Sequence, residues 1–129
     1  MHSLTMNWSN GSKSIFTPAN ASHSHGTTPT FTPDKLVNGG NSSVFVDQSQ
    51  NLGPGPVGVY TWASMENPNL GVACSYDHPS TSGQTTVTAT PNGFMVSFDG
   101  KNWSSAPITA HPTGTNITIA IYIQNKSDT

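Results

Sequence analysis

Apolar and polar residues alternate with a period of two along much of this 129-residue chain. From Val57 to Gln84 the pattern is clearest. The run VGVYTW puts Val57, Val59 and Thr61 on one face and Gly58, Tyr60 and Trp62 on the other. The run LGVACSY puts Leu70, Val72, Cys74 and Tyr76 together, with Gly71, Ala73, Ser75 and Asp77 opposite. Ser64-Met65-Glu66-Asn67-Pro68-Asn69 joins the two. Alternating runs bounded by Asn, Pro and Gly predict a half-buried antiparallel hairpin in the middle of the core.

The flanking sequence extends the pattern. Leu4, Met6 and Trp8 predict a first short strand closed by Asn10-Gly11, and Ser14 to Thr17 a short run able to pair with it. Pro18 to Pro33 is polar and proline-bearing, which predicts a long surface loop. Leu36 and Val37, Gly39-Gly40 and Ser43 to Gln48 predict an interrupted strand, followed by the turn Asn51-Leu52-Gly53-Pro54-Gly55-Pro56. Thr85 to Thr90 and Phe94, Val96 and Phe98 flank a Pro91-Asn92-Gly93 turn, and Lys101 to Thr115 reads as a loop. The last strand sets Ile117, Ile119, Ile121 and Ile123 against Asn116, Thr118, Ala120, Tyr122 and Gln124, so it should be central and buried. Seven or eight strands without intervening helices predict an all-β, antiparallel two-sheet β-sandwich occupying residues 1–129 as one domain.

Composition narrows the function. Charged residues make up 8% of the chain, against roughly a quarter in ordinary globular proteins. There is no arginine, and Lys13, Lys35, Lys101 and Lys126 lie far apart. A net charge of −2 and scattered lysines argue against nucleic acid, which needs clustered cations. No segment approaches the roughly 20 apolar residues of a membrane-spanning helix, and MHSLTMNWSNGSK lacks the apolar stretch of a signal peptide, so a leaderless soluble protein is expected. The Asn-x-Ser/Thr matches at Asn7, Asn10, Asn20, Asn41, Asn102, Asn116 and Asn125 are what a chain rich in these residues produces by chance.

Catalytic chemistry has little support. Cys74 is the single cysteine and falls on an apolar strand face, as a small buried hydrophobe does. His23 and His25, with His78 or Asp77, could contribute to a metal site, but no further ligands are specified and solvent-facing histidines are the simpler reading. Asp77 and Asp99 end strands, where Asp commonly bonds local amides; Asp34, Asp47, Glu66 and Asp128 are scattered. No phosphate cradle, nucleophile elbow or Cys-His pattern is present. The expectation is a protein without enzymatic activity or cofactor.

Aromatic residues carry more. Trp8, Trp62 and Trp103, with Tyr60 and Tyr122, are amphipathic rings of the kind used at membrane interfaces and on sugar-binding faces. Trp103, in a loop between Asn102 and Ser104, is the best candidate for an exposed contact; Trp62 reads more readily as core, and Trp8 fits either role. Trp103, Trp62, Trp8, Tyr60 and Asp77 are therefore the candidate ligand contacts.

The stretch Gly55-Pro56-Val57-Gly58-Val59-Tyr60-Thr61-Trp62, the sequence Tyr76-Asp77-His78-Pro79 and the following Gly83 resemble the aegerolysins, including the small component of bacterial two-component insecticidal crystal proteins. His25-Gly26, Pro29, Pro33 and Val44-Phe45-Val46 fit the same order, and the likeness runs from about Ala21 to Gln124. Two features depart from it: the segment between Pro79 and Gly83 is one residue longer, and Gln84 stands where Asn is usual. The resemblance implies a β-sandwich that recognises membrane lipid headgroups, with haemolytic or insecticidal action beside a larger pore-forming partner protein. It also implies manufacture in the cytoplasm without a leader and action outside the cell at target membranes, with homo-oligomers a further possibility. A carbohydrate-binding, lectin-like sandwich using Trp103, Trp62 and nearby Asn and Asp groups is the alternative.

Overall fold

The computed structural model describes residues 2–49 and 53–126. Among these residues the chain forms ten strands: β1 (Ser3–Asn10), β2 (Phe16–His25), β3 (Thr30–Thr32), β4 (Asn41–Asp47), β5 (Val57–Ser64), β6 (Gly71–Asp77), β7 (Thr86–Asn92), β8 (Phe94–Ser97), β9 (Ile108–Ala110) and β10 (Asn116–Asn125). They make two five-stranded sheets with orders β3-β4-β1-β10-β8 and β2-β5-β6-β7-β9. No described helix is long and apolar enough to cross a membrane. The expected all-β sandwich is therefore observed.

The period-two pattern explains the core directly. Leu4, Met6 and Trp8 of β1, Val44 and Val46 of β4, and Ile117, Ile121 and Ile123 of β10 face inward from the first sheet. Tyr60 and Trp62 of β5, Val72, Cys74 and Tyr76 of β6, and Val87 and Ala89 of β7 meet them from the second. The hairpin registers Tyr60 opposite Cys74 and Trp62 opposite Val72, so large and small side chains alternate across it. Between the sheets the rings of Trp8, Tyr60, Trp62 and Phe31 meet edge to face, with centroids 5.3 to 6.4 Å apart, the arrangement favoured by the ring quadrupole.

Besides the short β9, which lies in the Lys101 to Thr115 stretch expected to be a loop and pairs with β7, three elements differ from the sequence reading. Pro18 to Pro33 is not one long loop: β2 and β3 lie within it, and β2 pairs with β5 rather than with β1. As an edge strand, β2 has one neighbour, which accommodates Pro18 and a largely exposed polar sequence that shows no alternation. Register shifts at Ala19/Ser22 and His23/His25 break it further, with Asn20 at φ 54°. Pro91 belongs to β7 opposite Val72, at a point beyond the pairing of β9 with Val87–Ala89, so its missing N–H falls on an open edge. Gly93 alone then turns the chain from one sheet into the other.

The third difference decides where a ligand site can form. β10 lies between β1 and β8, as a central strand should, but it runs parallel to β1, from Ser3 opposite Asn116 to Asn10 opposite Ile123. Every other strand pairing is antiparallel. The carboxyl ends of β1 and β10 consequently open at the same end of the sandwich.

Candidate functional site

At that end a groove of about 490 Å³ lies on the outer side of the first sheet. Its floor comes from Ser9 on β1 and from Tyr122 and Gln124 on β10, residues of the outward face in the alternation. One wall is the Gly39-Gly40-Asn41 approach to β4, the other the Asp99–Trp103 loop after β8. Asn10, 2% exposed, fixes the first wall. Its side-chain amide donates to the carbonyls of Ser14 and Leu36, and its oxygen accepts from the Ser12 amide and hydroxyl. The Asn10 backbone bonds both Gly39 and Gly40.

The second wall is held as firmly. The Asp99 carboxylate accepts hydrogen bonds from the backbone amides of Lys101 and Asn102 and from the side chains of Ser97 and Asn102. These donors, the Asn102 and Lys101 amides foremost, hold its carboxyl well below the usual carboxylate range. The expected role of Asp99 in bonding local amides is thus observed. Gly100, at φ 73°, passes over the Tyr122 ring, and Ser104 ties the loop back to β8 through paired backbone bonds to Val96 of 2.9 and 3.0 Å. Trp103 sits between these anchors, half-buried, without a stacked aromatic partner among the described residues.

The opposite end is built from the residues that carry the aegerolysin resemblance. Gly55 lies so close to the His78 carbonyl that a Cβ there would overlap it, and a Cβ on Gly58 would meet the Tyr76 hydroxyl and the Ser22 carbonyl. Both glycines are needed for close approach, so the Gly-x-x-Gly strand and the Tyr-Asp-His-Pro turn form one packed unit. His78 is 1% exposed: its Nε2 donates to the Thr115 carbonyl at 2.8 Å, and its Nδ1 lies 2.8 Å from the Thr85 hydroxyl. Beside it Asp77, exposed at the end of β6, borders a shallow pocket with Gly55, Val57 and Pro79.

The five candidate contacts are therefore not one site. Trp103 and Asp77 lie at opposite ends, separated by the run of β1, roughly 23 Å at the usual rise per residue. Trp62 is core, the reading it favoured, and Trp8 and Tyr60 are wholly buried with it, so the candidacy of all three as ligand contacts is corrected. Trp8 Nε1 donates to the Tyr60 hydroxyl at 2.9 Å, and that hydroxyl points at the Met6 sulfur. Their strands are central or next to central, and the inward face of the pleat is the face they occupy. Cys74 is buried and free, as its apolar strand face implied, and burial pushes its thiol up to about 12. Burial raises the Tyr60 phenol well above its ordinary value and Tyr76 to about 12. His23 and His25 lie on β2 beside a separate polar pocket with Ser49 and Gly53. No group of three or more His, Cys, Asp and Glu able to hold a metal ion occurs among the described residues. Asp128 and the Asn51-Leu52 part of the predicted turn lie outside the described residues.

Sequence reasoning missed Ser9, Asn41, Tyr122 and Gln124 as neighbours of Trp103. Their outward orientation was legible in the alternation. Their convergence depends on the parallel β1/β10 pairing, for which no local signal exists.

No protein-family model and no curated protein sequence matches the chain. Solved structures do share its fold. RahU protein, in complex with a Tris molecule, superposes with a TM-score of 0.73 at 16% identity, covering 99% of this chain and 98% of that one. IP-1A from Alcaligenes faecalis gives 0.68 at 14% identity over 98% and 92%. The lipid-binding protein Nakanori gives 0.62 at 12% identity over 95% and 70%. The likeness spans both sheets and shows a common sandwich.

Proposed function

We propose that this chain is a non-enzymatic recognition module for membrane lipid, acting through the groove beside Trp103. The observation that carries the proposal is the indole itself, half-exposed on a hydrogen-bonded loop and bordering a groove of mixed apolar and polar lining. An amphipathic ring presented in this way enters a headgroup layer without rearranging the fold. The sequence resemblance to the aegerolysins and the fold shared with a lipid-binding protein support the same reading. In the full proposal the sandwich is one component of a two-component toxin. It selects the membrane, a larger protein forms the pore, and haemolysis or insecticidal action follows. It would act outside the cell and would need no cofactor; homo-oligomers on the membrane belong to the same reading. A lectin-like module binding soluble glycan is the competing reading, because the groove sets the neutral hydrogen-bonding groups of Ser9, Asn41, Tyr122 and Gln124 beside the Trp103 ring.

Tryptophan emission in the presence of liposomes tests the proposal. Trp8 and Trp62 are shut in the core, so a blue shift on lipid addition belongs to Trp103. Trp103→Ala should abolish the shift and weaken liposome co-sedimentation at least tenfold, while changing stability by no more than about 1 kcal/mol. A shift that survives in this variant would place the contact elsewhere. Saturable binding on a glycan array, with no liposome binding at any composition, would establish the lectin-like reading instead.

A further inference from the structure

We infer that the headgroup taken by the Trp103 groove is an uncharged sugar, so that the recognised lipid is a neutral glycolipid. The inference rests on the membrane reading above and names the chemistry of its ligand. Charge decides first. Asp99 is the one carboxylate lining the groove, and its oxygens already accept four hydrogen bonds from Ser97, Lys101 and Asn102. It has little left to offer a cationic headgroup. Lys101 is the one cation in the lining, exposed at the rim, and the chain has no arginine to grip a phosphate with paired donors. A quaternary ammonium would call for aromatic faces beside an available negative charge, and the carboxylate is committed.

What remains is suited to hydroxyl groups. Among the described residues the Tyr122 hydroxyl, the Gln124 amide and Trp103 Nε1 have no hydrogen-bond partner, and Asn41 uses its side-chain oxygen for the Ser9 hydroxyl while its amide group stays free. Side-chain amides offer donor and acceptor side by side, the pattern needed for neighbouring sugar hydroxyls. Trp103 supplies an apolar surface for the C–H face of a pyranose ring. The volume, about 490 Å³, lies within the usual range of small-ligand sites, about 300–1,000 Å³. Walls tied down by Asn10 and Asp99 keep these groups in place before the ligand arrives, which limits the entropy cost of binding.

The same sugar could be offered by a lipid or free in solution, and the experiment separates the two. Liposomes of phosphatidylcholine and cholesterol would be compared with the same liposomes carrying glucosyl-, galactosyl-, mannosyl- or N-acetylglucosaminyl-lipid. The corresponding free methyl glycosides would serve as competitors. Binding should require one of the glycolipids, fall in competition with its own glycoside, and weaken at least tenfold in Gln124→Ala and in Tyr122→Phe with thermal unfolding unchanged. Equal binding to glycolipid-free liposomes, still dependent on Trp103, would overturn the sugar inference and leave lipid recognition standing. Glycoside binding without attachment to any liposome would keep the sugar and overturn the membrane reading. Binding to neither would overturn both.

Discussion

Cys74 and Tyr60 show how burial, rather than chemistry, sets the character of single residues here. Each sits wholly inside the sandwich, where the charged form is penalised, so each holds its proton far into the alkaline range. For Cys74 the folded value near 12 exceeds the ordinary 9.0. Below about pH 9 both folded and unfolded chains keep that proton, and its effect on stability is nil. Between about 9 and 12 the unfolded chain loses the proton while the folded chain retains it, so stability falls as pH rises, by about 1.4 kcal/mol per pH unit for each such group. Urea unfolding at pH 7, 9 and 10.5 should show a flat region followed by a decline, and the decline should be shallower in Cys74→Ala; an unchanged slope would mean that the thiol does not contribute. Trp62→Ala should cost about 3–5 kcal/mol, because its ring packs against Trp8 and Phe31. Liposome binding by the fraction still folded should be unaffected. Sequence placed Trp62, Trp8 and Tyr60 on strands, but aromatic type alone did not say which way each ring would face. A partner across the pleat, Cys74 or Val72, was the deciding information.

At the scale of elements, β10 was the easiest strand to read and β2 the hardest, for one physical reason. A strand is legible when one face is buried: β10 alternates Ile with polar or small residues because its inner face meets the core, whereas β2 is exposed along most of its length and carries no such constraint. Even within β10 the burial is uneven. β8 pairs only with Tyr122–Asn125, so among the described residues the N-terminal half of β10 lacks a neighbour on that side, and Ile119 is only partly buried while Ile121 is fully so. Ile121→Ala should therefore cost about 2–5 kcal/mol, and Ile119→Ala clearly less. Thr118→Ser, on the exposed outer face, should stay within about 0.5 kcal/mol. Chemical denaturation of the three variants checks the ranking, and equal losses at Ile119 and Ile121 would contradict this account of the edge.

For the whole molecule, the sandwich was foreseeable from strand count and spacing, but the division of its two ends was not. The motif residues that carry the family resemblance converge around Gly55, Gly58, Tyr76 and His78, while Trp103 stands at the other end. The groove and the motif residues are thus separate, because short sequence motifs report local packing and the groove depends on strands more than a hundred residues apart. The pairing that makes the groove also sets how the protein bears load. With β1 and β10 parallel and adjacent, the outer ends of the two strands point in opposite directions, so tension applied through the flanking chain slides one strand along the other. The backbone bonds across the pair, from Ser3 opposite Asn116 to Asn10 opposite Ile123, then resist together instead of opening one after another. In single-molecule stretching the domain should rupture at a high force as one event. Attaching one handle at Ser49 in place of the C-terminal end, which loads β4 where Asp47 faces Ser3 and peels it from β1, should lower that force severalfold. A shell of this kind would hold its shape under tension applied through its two ends.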